Sequence, residues 1–455
     1  MENKKNNISR RDFLKRLGMG TASALALSAA GPLQSFAREK RIYQDATNNM
    51  TYRLSRNTGA KVSLLGFGMM RLPMTPDRKI DQEKVNEMVD YAMEHGVNYY
   101  DTSPHYGMHQ SERATGNALK KYPRESFNLC TKMSSFLDQN GNDHDVAVAG
   151  YHKSFEECQV DYFDYYLIHG AGIGGMERLH SNLLDNGMLD FLLEERKKGK
   201  IRNLGFSFHG DLEVFKYLLQ LHDEGKAHWD LIQIQMNYKD WKHASGWNTN
   251  AEYLYGECEK RGIQNTVMEP LFGGALAKLP TVQEKKLTAL RPNDSVASWS
   301  FRFVGGHNNV LSCLSGMTRL EHVIDNVKTF SPVDPCTVAE LELLEQIAID
   351  LTAYPTIDCT ACRYCMPCPY GVDIPGNFAF YNKAVNEGTI PPADKNAPDF
   401  AERSKTFAAE YGKSMDTNAL ASACVGCEAC LTKCPQRIQI PLQMQRLTEM
   451  LDYKG

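Results

Sequence analysis

The chain carries no surplus of positive charge. Its 51 Lys and Arg are outnumbered by 55 Asp and Glu, and the formal net charge of −4 argues against a nucleic-acid partner. No apolar run reaches the roughly 18 residues of a spanning helix, so no transmembrane segment is expected in the mature chain. Apart from two cysteine runs there is no internal repeat of about 20–50 residues, which sets aside arrays of stacked repeats. No low-complexity tract follows residue 37. No G-x-G-x-x-G follows the first predicted strand, which weakens a doubly wound dinucleotide-binding sheet. What the chain has is length and apolar content: 455 residues, 42% hydrophobic, enough to bury a sizeable core and a second module.

The cysteines are the most informative feature. Five of the 13 (Cys130, Cys158, Cys258, Cys313 and Cys336) are scattered in mostly apolar surroundings and read as buried small hydrophobes, not disulfide partners. The other eight form two runs, Cys359-Thr-Ala-Cys362-Arg-Tyr-Cys365-Met-Pro-Cys368-Pro369 and Cys424-Val-Gly-Cys427-Glu-Ala-Cys430-Leu-Thr-Lys-Cys434-Pro435. Disulfides or paired zinc sites are the competing explanations, but repeated C-x2-C steps that each close on Cys-Pro disfavour both. The second run has the bacterial ferredoxin spacing; the first is one residue short before its last cysteine. In two-cluster ferredoxins the fourth cysteine of each run ligates the other cluster. The resemblance therefore implies one [4Fe-4S] cluster on Cys359, Cys362, Cys365 and Cys434, and a second on Cys424, Cys427, Cys430 and Cys368.

At the other end, Ser9-Arg10-Arg11-Asp12-Phe13-Leu14-Lys15 resembles a twin-arginine export signal. A stretch rich in Leu, Ala, Gly and Ser follows, broken by Pro32, and Ser35-Phe36-Ala37 has the small-x-small form of a cleavage site. Residues 1–37 are thus expected to be a signal peptide and 38–50 a linker, in a periplasmic or otherwise exported protein.

Between the two ends, short apolar runs alternate with helical patterns. Strands are predicted at Val62–Gly68, Val97–Asp101, Phe127–Lys132, Phe163–His169, Ile201–Ser207, Leu231–Met236, Thr266–Glu269 and Val310–Leu314. A helix over Asp81–His95 has Val85, Met88, Val89 and Ala92 on one face. Eight strands with helices between them suit a (β/α)8 TIM barrel over 51–335, with a doubly wound sheet as runner-up. Chemistry in such a barrel sits at the C-terminal strand ends. Asp101, Lys132 and His169 fall there, with Tyr106 just beyond Asp101. A tyrosine can protonate a nascent alkoxide, an ammonium such as Lys132 would lower its pKa, Asp101 would hold the lysine, and His169 would orient the carbonyl.

These segments resemble the aldo-keto reductase family over about residues 51–330. Asp101-Thr-Ser-Pro-His-Tyr106-Gly107, Thr131-Lys132 and Leu167-Ile168-His169 match its Asp, Tyr, Lys and His motifs. Leu64-Leu-Gly-Phe-Gly68, Gly205-Phe-Ser207, Glu269-Pro-Leu-Phe-Gly-Gly274, Ser315-Gly-Met317 and Asp325-Asn326 also fit. The resemblance implies a catalytic tetrad of Asp101, Tyr106, Lys132 and His169. It implies a nicotinamide carboxamide held by Ser207 and Gln233, with Leu271, Gly273, Gly274, Gly316, Asp325 and Asn326 along the rest of the dinucleotide. The chain departs from the family at Phe208, at Met268 and around the 2'-phosphate position, where Gly316-Met-Thr318 and His322 replace the usual Lys or Arg. NADP and NAD both remain open.

Residues 336–455 are expected to form a smaller, mainly helical ferredoxin-type domain. It is joined by a helix with the capping-box signature Thr337-Val-Ala-Glu340 and an apolar face of Leu341, Leu344, Ile347 and Leu351. The expected function is that of an exported iron–sulfur oxidoreductase. It would exchange hydride between NAD(P)H and a small carbonyl or sugar-like substrate, with the clusters passing electrons to a protein or membrane redox partner. The alternative is an electron carrier whose barrel is a scaffold.

Overall fold

The computed structural model describes residues 49–135, 140–246 and 248–452. A hairpin opens it, β1 (Tyr52–Leu54) pairing antiparallel with β2 (Lys61–Ser63). Eight parallel strands then close into a barrel: β3 (Leu65–Gly68), β4 (Tyr99–Asp101), β5 (Asn128–Met133), β6 (Phe163–Ala171), β7 (Ile201–Phe208), β8 (Leu231–Gln235), β9 (Gln264–Met268) and β10 (Val310–Ser315). β10 returns to pair with β3, so no edge is left open. The first predicted strand is in fact two. Val62 belongs to the hairpin, Leu65–Gly68 to the barrel, and Leu64 separates them.

Strand residues alternate between two apolar environments. Tyr99, Cys130, Tyr165, Leu167, Leu231 and Leu311 fill the barrel, while Tyr100, Leu129, Tyr166, Ile168 and Ile232 face the surrounding helices. Burial on both faces is why the strands read as nearly continuous apolar runs. Gly205 permits close strand contact, since a Cβ there would lie 1.9 Å from the Leu231 carbonyl oxygen.

Helices α1 (Gln82–Glu94), α2 (Ser111–Leu119), α3 (His144–Cys158), α4 (Met188–Lys197), α5 (Leu212–Asp223), α6 (Ala251–Lys260), α7 (Thr281–Leu290), α8 (Val296–Gly305) and α9 (Leu320–Thr329) surround the barrel. α1 buries the predicted face, and its N-cap Asp81 accepts from the Lys84 N–H. No helix among the described residues is long and apolar enough to cross a membrane.

The linking helix α10 (Val338–Ala353) starts with the capping box expected from Thr337 and Glu340. It buries Leu344, Ile347 and Ala348 in the barrel's core. Near its start, Glu340 pairs with Arg291 and Arg302, at the ends of α7 and α8 that lie by the strands' N-termini. Farther along, Glu345 meets His243 at 2.9 Å and Asp350 accepts from Gln283 at 2.8 Å, both beside the strands' C-terminal face. α10 thus runs antiparallel to α7. It carries the chain about 24 Å back to the end of the barrel where the strands finish.

There the tail builds its own core from Ile357, Val372, Phe378, Tyr381, Phe407, Tyr411, Met444 and Leu447. It comprises α11 (Ile374–Glu387), α12 (Phe400–Ser414) and α13 (Ile440–Leu451). Gly388, just beyond α11, lies against Val282 of α7.

Candidate active site and iron–sulfur centres

Four predicted residues converge at the C-terminal mouth. Asp101 ends β4 and Lys132 lies in β5; both side chains are buried, at 3% and 0% exposure. Lys132 Nζ donates to Asp101 Oδ1 at 2.5 Å and to the Thr102 carbonyl at 2.8 Å. Its ammonium lies 4.8 Å from the centre of the Tyr106 ring, and that ring stands edge-on to His169 with centroids 5.7 Å apart. Gln233 Nε2 donates to the second Asp101 oxygen at 3.0 Å.

The charge states follow from these contacts. Burial alone would depress the Lys132 pKa, but Asp101 and Tyr106 outweigh it and hold the ammonium charged. Lys132 was expected to lower the Tyr106 pKa below the usual tyrosine value. It does pull in that direction, yet burial is the larger effect and the net shift is upward, so Tyr106 keeps its proton at neutral pH. His169 is pushed well below the usual histidine value by burial and by Lys132, and is neutral. Its Nδ1 lies 3.0 Å from Ser134 Oγ and 3.1 Å from Ser103 Oγ. These two serines escaped the sequence reading because a lone serine at a strand end carries no pattern. With a serine hydroxyl donating to Nδ1, the ring presents Nε2–H as a donor.

Asp101, Tyr106, Gln233, Leu271, Gly273, Gly274 and Gly316 line one cleft, joined by Arg71, Met268 and Glu269. Gly273 and Gly274 have φ of 68° and 100°, which brings bare backbone to the cleft wall. The Glu269 carboxylate accepts from the Gly273 N–H and lies 3.9 Å from Arg71. Ser207 sits at the end of β7, its Oγ accepting from the Gly170 N–H at 2.8 Å. Asn326 is buried on α9 and donates to Ser315 Oγ at 2.8 Å, so it supports the cleft from behind. Asp325 is occupied by Ser295, which donates at 2.6 Å. A glycine-walled cleft above a buried amide and ammonium fits a dinucleotide.

In the tail, Cys359, Cys362, Cys365 and Cys434 line one cavity with Ile374, Pro375 and Phe378. Cys368, Cys424, Cys427 and Cys430 line a second with Tyr370, Val372, Val425 and Met444, and Cys365 reaches both. The two sets expected from the spacing thus fall on separate cavities, and the shortened first run still brings Cys368 to the second. Left-handed backbone at Ala361, Arg363 and Glu428 (φ 55°, 62° and 59°) curls the loops between cysteines. Burial first, then the neighbouring thiols, raise the pKa of Cys365 and Cys430. A group that brings positive charge among four sulfurs relieves that repulsion. Of the five scattered cysteines, four are buried and Cys336 partly so; all are free thiols.

The barrel and its mouth define a reductase-type enzyme, and the paired cysteine cavities add an iron–sulfur module. A family model described as aldo/keto reductase family matches residues 64–347, and a 4Fe-4S dicluster domain matches residues 358–438. The chain belongs to the aldo/keto reductase family and is an oxidoreductase whose tail carries two [4Fe-4S] clusters. It is 29% identical to L-galactose dehydrogenase of Arabidopsis thaliana over 317 residues, 65% of this chain and 94% of that protein. It is 31% identical to the aldo-keto reductase YhdN of Bacillus subtilis (strain 168) over 127 residues, 26% of this chain and 38% of that protein. The fold is shared with the holo form of aldo-keto reductase AKR11C1 from Bacillus halodurans (TM-score 0.52, 22% identity, 66% of this chain and 96% of that one). It is also shared with a Klebsiella pneumoniae aldo-keto reductase in complex with NADPH (TM-score 0.53, 19% identity, 66% and 96%).

Proposed function

We propose that the barrel interconverts a small carbonyl, of the sugar-like class, and its alcohol by hydride transfer with NAD(P)H, while the clusters exchange single electrons with a partner protein. The observation that carries this is the buried Asp101–Lys132 pair set beneath a protonated Tyr106 and beside a neutral His169. In carbonyl reduction Tyr106 gives its proton to the developing alkoxide, and the Lys132 ammonium stabilises the tyrosinate left behind. Asp101 fixes Lys132, Gln233 fixes Asp101, and His169 Nε2–H holds the carbonyl oxygen in line. The nicotinamide, when bound, supplies or accepts the hydride. The name of the Arabidopsis relative favours a sugar-like substrate.

Tyr106→Phe tests this. It keeps the fold and the cluster absorbance and lowers turnover about 10²-fold or more. A variant that turns over substrate as fast as the wild type refutes the assignment.

The return of α10 to the catalytic end supports one electron path through both halves. A hydride carries two electrons and the cluster pair accepts two, one each. Anaerobic stopped-flow on protein carrying bound nucleotide follows this: adding reduced nucleotide bleaches the cluster absorbance within the turnover time. Clusters that stay oxidised while carbonyl is consumed exclude the coupling.

The export signal lies outside the described residues. We propose that Arg10-Arg11 directs the chain through the twin-arginine route, which carries proteins already folded and so already loaded with clusters. Changing both arginines to lysine strands precursor in the cytoplasm; undiminished periplasmic recovery refutes the route.

A further inference from the structure

We infer that the second cysteine cavity, lined by Cys368, Cys424, Cys427 and Cys430, is the electron port of the molecule, and that its apolar rim seats a small one-electron carrier protein. This rests on the proposal that the clusters exchange electrons with a partner.

The two cysteine runs are alike in sequence but their cavities differ at the surface. The first is edged by Thr360, Arg363 and Gln436, which are polar, while the exposed Tyr364 between Arg363 and Cys365 is not among its lining residues. The second is edged by Tyr370 and Val425, exposed to 50% and 60%, with Leu442, 59% exposed, next to the lining residue Pro441. Large apolar side chains grouped at the surface mark interaction sites. Here they surround the thiols that hold a redox group, so whatever docks on them is brought to that group. The charged side chains on the same cavity wall, Glu428 and Lys433, cancel. With no excess of charged side chains on that wall, contact there rests mainly on apolar fit, which selects a carrier with an apolar face around its own redox centre. Small, transient contacts of under about 1,200 Å² are the usual size for such encounters.

The rim is also clear of the barrel. Tyr370 and Val372 precede α11, whose far end packs on Val282 through Gly388. The helix between spans about 21 Å. The first cavity reaches farther along α11, to Phe378, and its first ligand Cys359 is two residues from Ile357, which is bonded to Asn382. The first cluster is therefore the inner one, toward the barrel, and the second the outer one.

The test uses the full cluster-loaded protein, oxidised and mixed anaerobically with a chemically reduced small ferredoxin. Each electron leaves the ferredoxin and reduces one [4Fe-4S] cluster. Three variants are compared: Val425→Glu, Tyr370→Ala and, on the first run, Tyr364→Ala. EPR and absorbance first establish that both clusters are present. Val425→Glu and Tyr370→Ala slow reduction by the ferredoxin about tenfold, the effect of losing an interface anchor. Reduction by the small dye methyl viologen is unchanged, as is the Tyr364→Ala protein. Equal rates in all variants, or slowing by Tyr364→Ala alone, overturn the port assignment. No reduction of wild type by ferredoxin, with methyl viologen still active, instead overturns the underlying proposal of a protein partner. A wild-type dimer in sedimentation that Val425→Glu dissolves gives the patch to a second copy of the chain and overturns the carrier.

Discussion

Lys132 is a fully buried ammonium, and the Asp101 carboxylate is the charge that offsets its removal from water, with the Thr102 carbonyl accepting a second hydrogen bond. Replacing it with Met leaves Asp101 buried with Gln233 as its remaining partner. We expect a loss of about 3–5 kcal/mol, read by chemical denaturation of the barrel. The acid–base behaviour of the mouth is equally specific. Tyr106 is active while protonated, and its raised pKa keeps it so beyond the ordinary value of about 10. His169, with its pKa held well below the ordinary value of about 6.5, stays neutral through mildly acid solution. The pH profile of kcat/KM for carbonyl reduction should be level between about pH 6 and 9; a half-maximal point near 6.5 would mean that His169 titrates normally. All four residues of the mouth were legible in the sequence because each closes or follows a recognisable strand. The balance that decides the charge of Tyr106 was not, because burial is a property of the packed barrel. Ser103 and Ser134 were hidden for the same reason: nothing in their neighbours announces that two strand ends meet at one imidazole.

Among the elements, α10 shows where sequence reading stops. Its capping box and apolar face were plain from Thr337 to Leu351, yet periodicity gives a helix's face and not the surface it will lie on. Its antiparallel run along α7 is set by polar pairs spread over more than a hundred residues, Glu340 with Arg291 and Arg302, and Glu345 with His243. Burial works to raise the Glu340 pKa, but the two guanidiniums outweigh it and bring it to about 2. A carboxyl with a lowered folded pKa stabilises above its unfolded value of about 4.3, and the contribution fades as pH falls toward about 2. Glu340→Gln should therefore cost about 2 kcal/mol at neutral pH, and the cost should shrink through about pH 4 to 3 and be nearly gone by about pH 2; thermal melts across that range check the sign. Gly205 is a second element-scale constraint. Alanine there drives a methyl into the β8 backbone and should cost at least about 1–3 kcal/mol in barrel stability. The eight strands were evident from their apolar runs. The break at Leu64 was not, because Val62 to Gly68 reads as one short extended run in which Ser63 is the only polar side chain.

At the scale of the whole molecule the apolar cores of the described residues fall into two groups, those inside and around the barrel, ending with α10, and that of the tail, starting at Ile357. Anaerobic assay should return about eight iron and eight acid-labile sulfide per chain, from two four-cysteine sites. Stoichiometric zinc without iron would rule the clusters out. Cys427→Ser should remove one cluster and loosen the tail more than the barrel, seen as a separate early melting step. The arrangement of the cysteines has a consequence for heredity as much as for chemistry. Cys368 serves the cavity of the later run and Cys434 that of the earlier one, so neither run is a transferable unit. A chain cut after Ala423 would own three sulfurs for its first centre and a stranded fourth for a centre that no longer exists. Recombination can exchange this tail between proteins as one block, from about Ile357 onward, but it cannot exchange half of it.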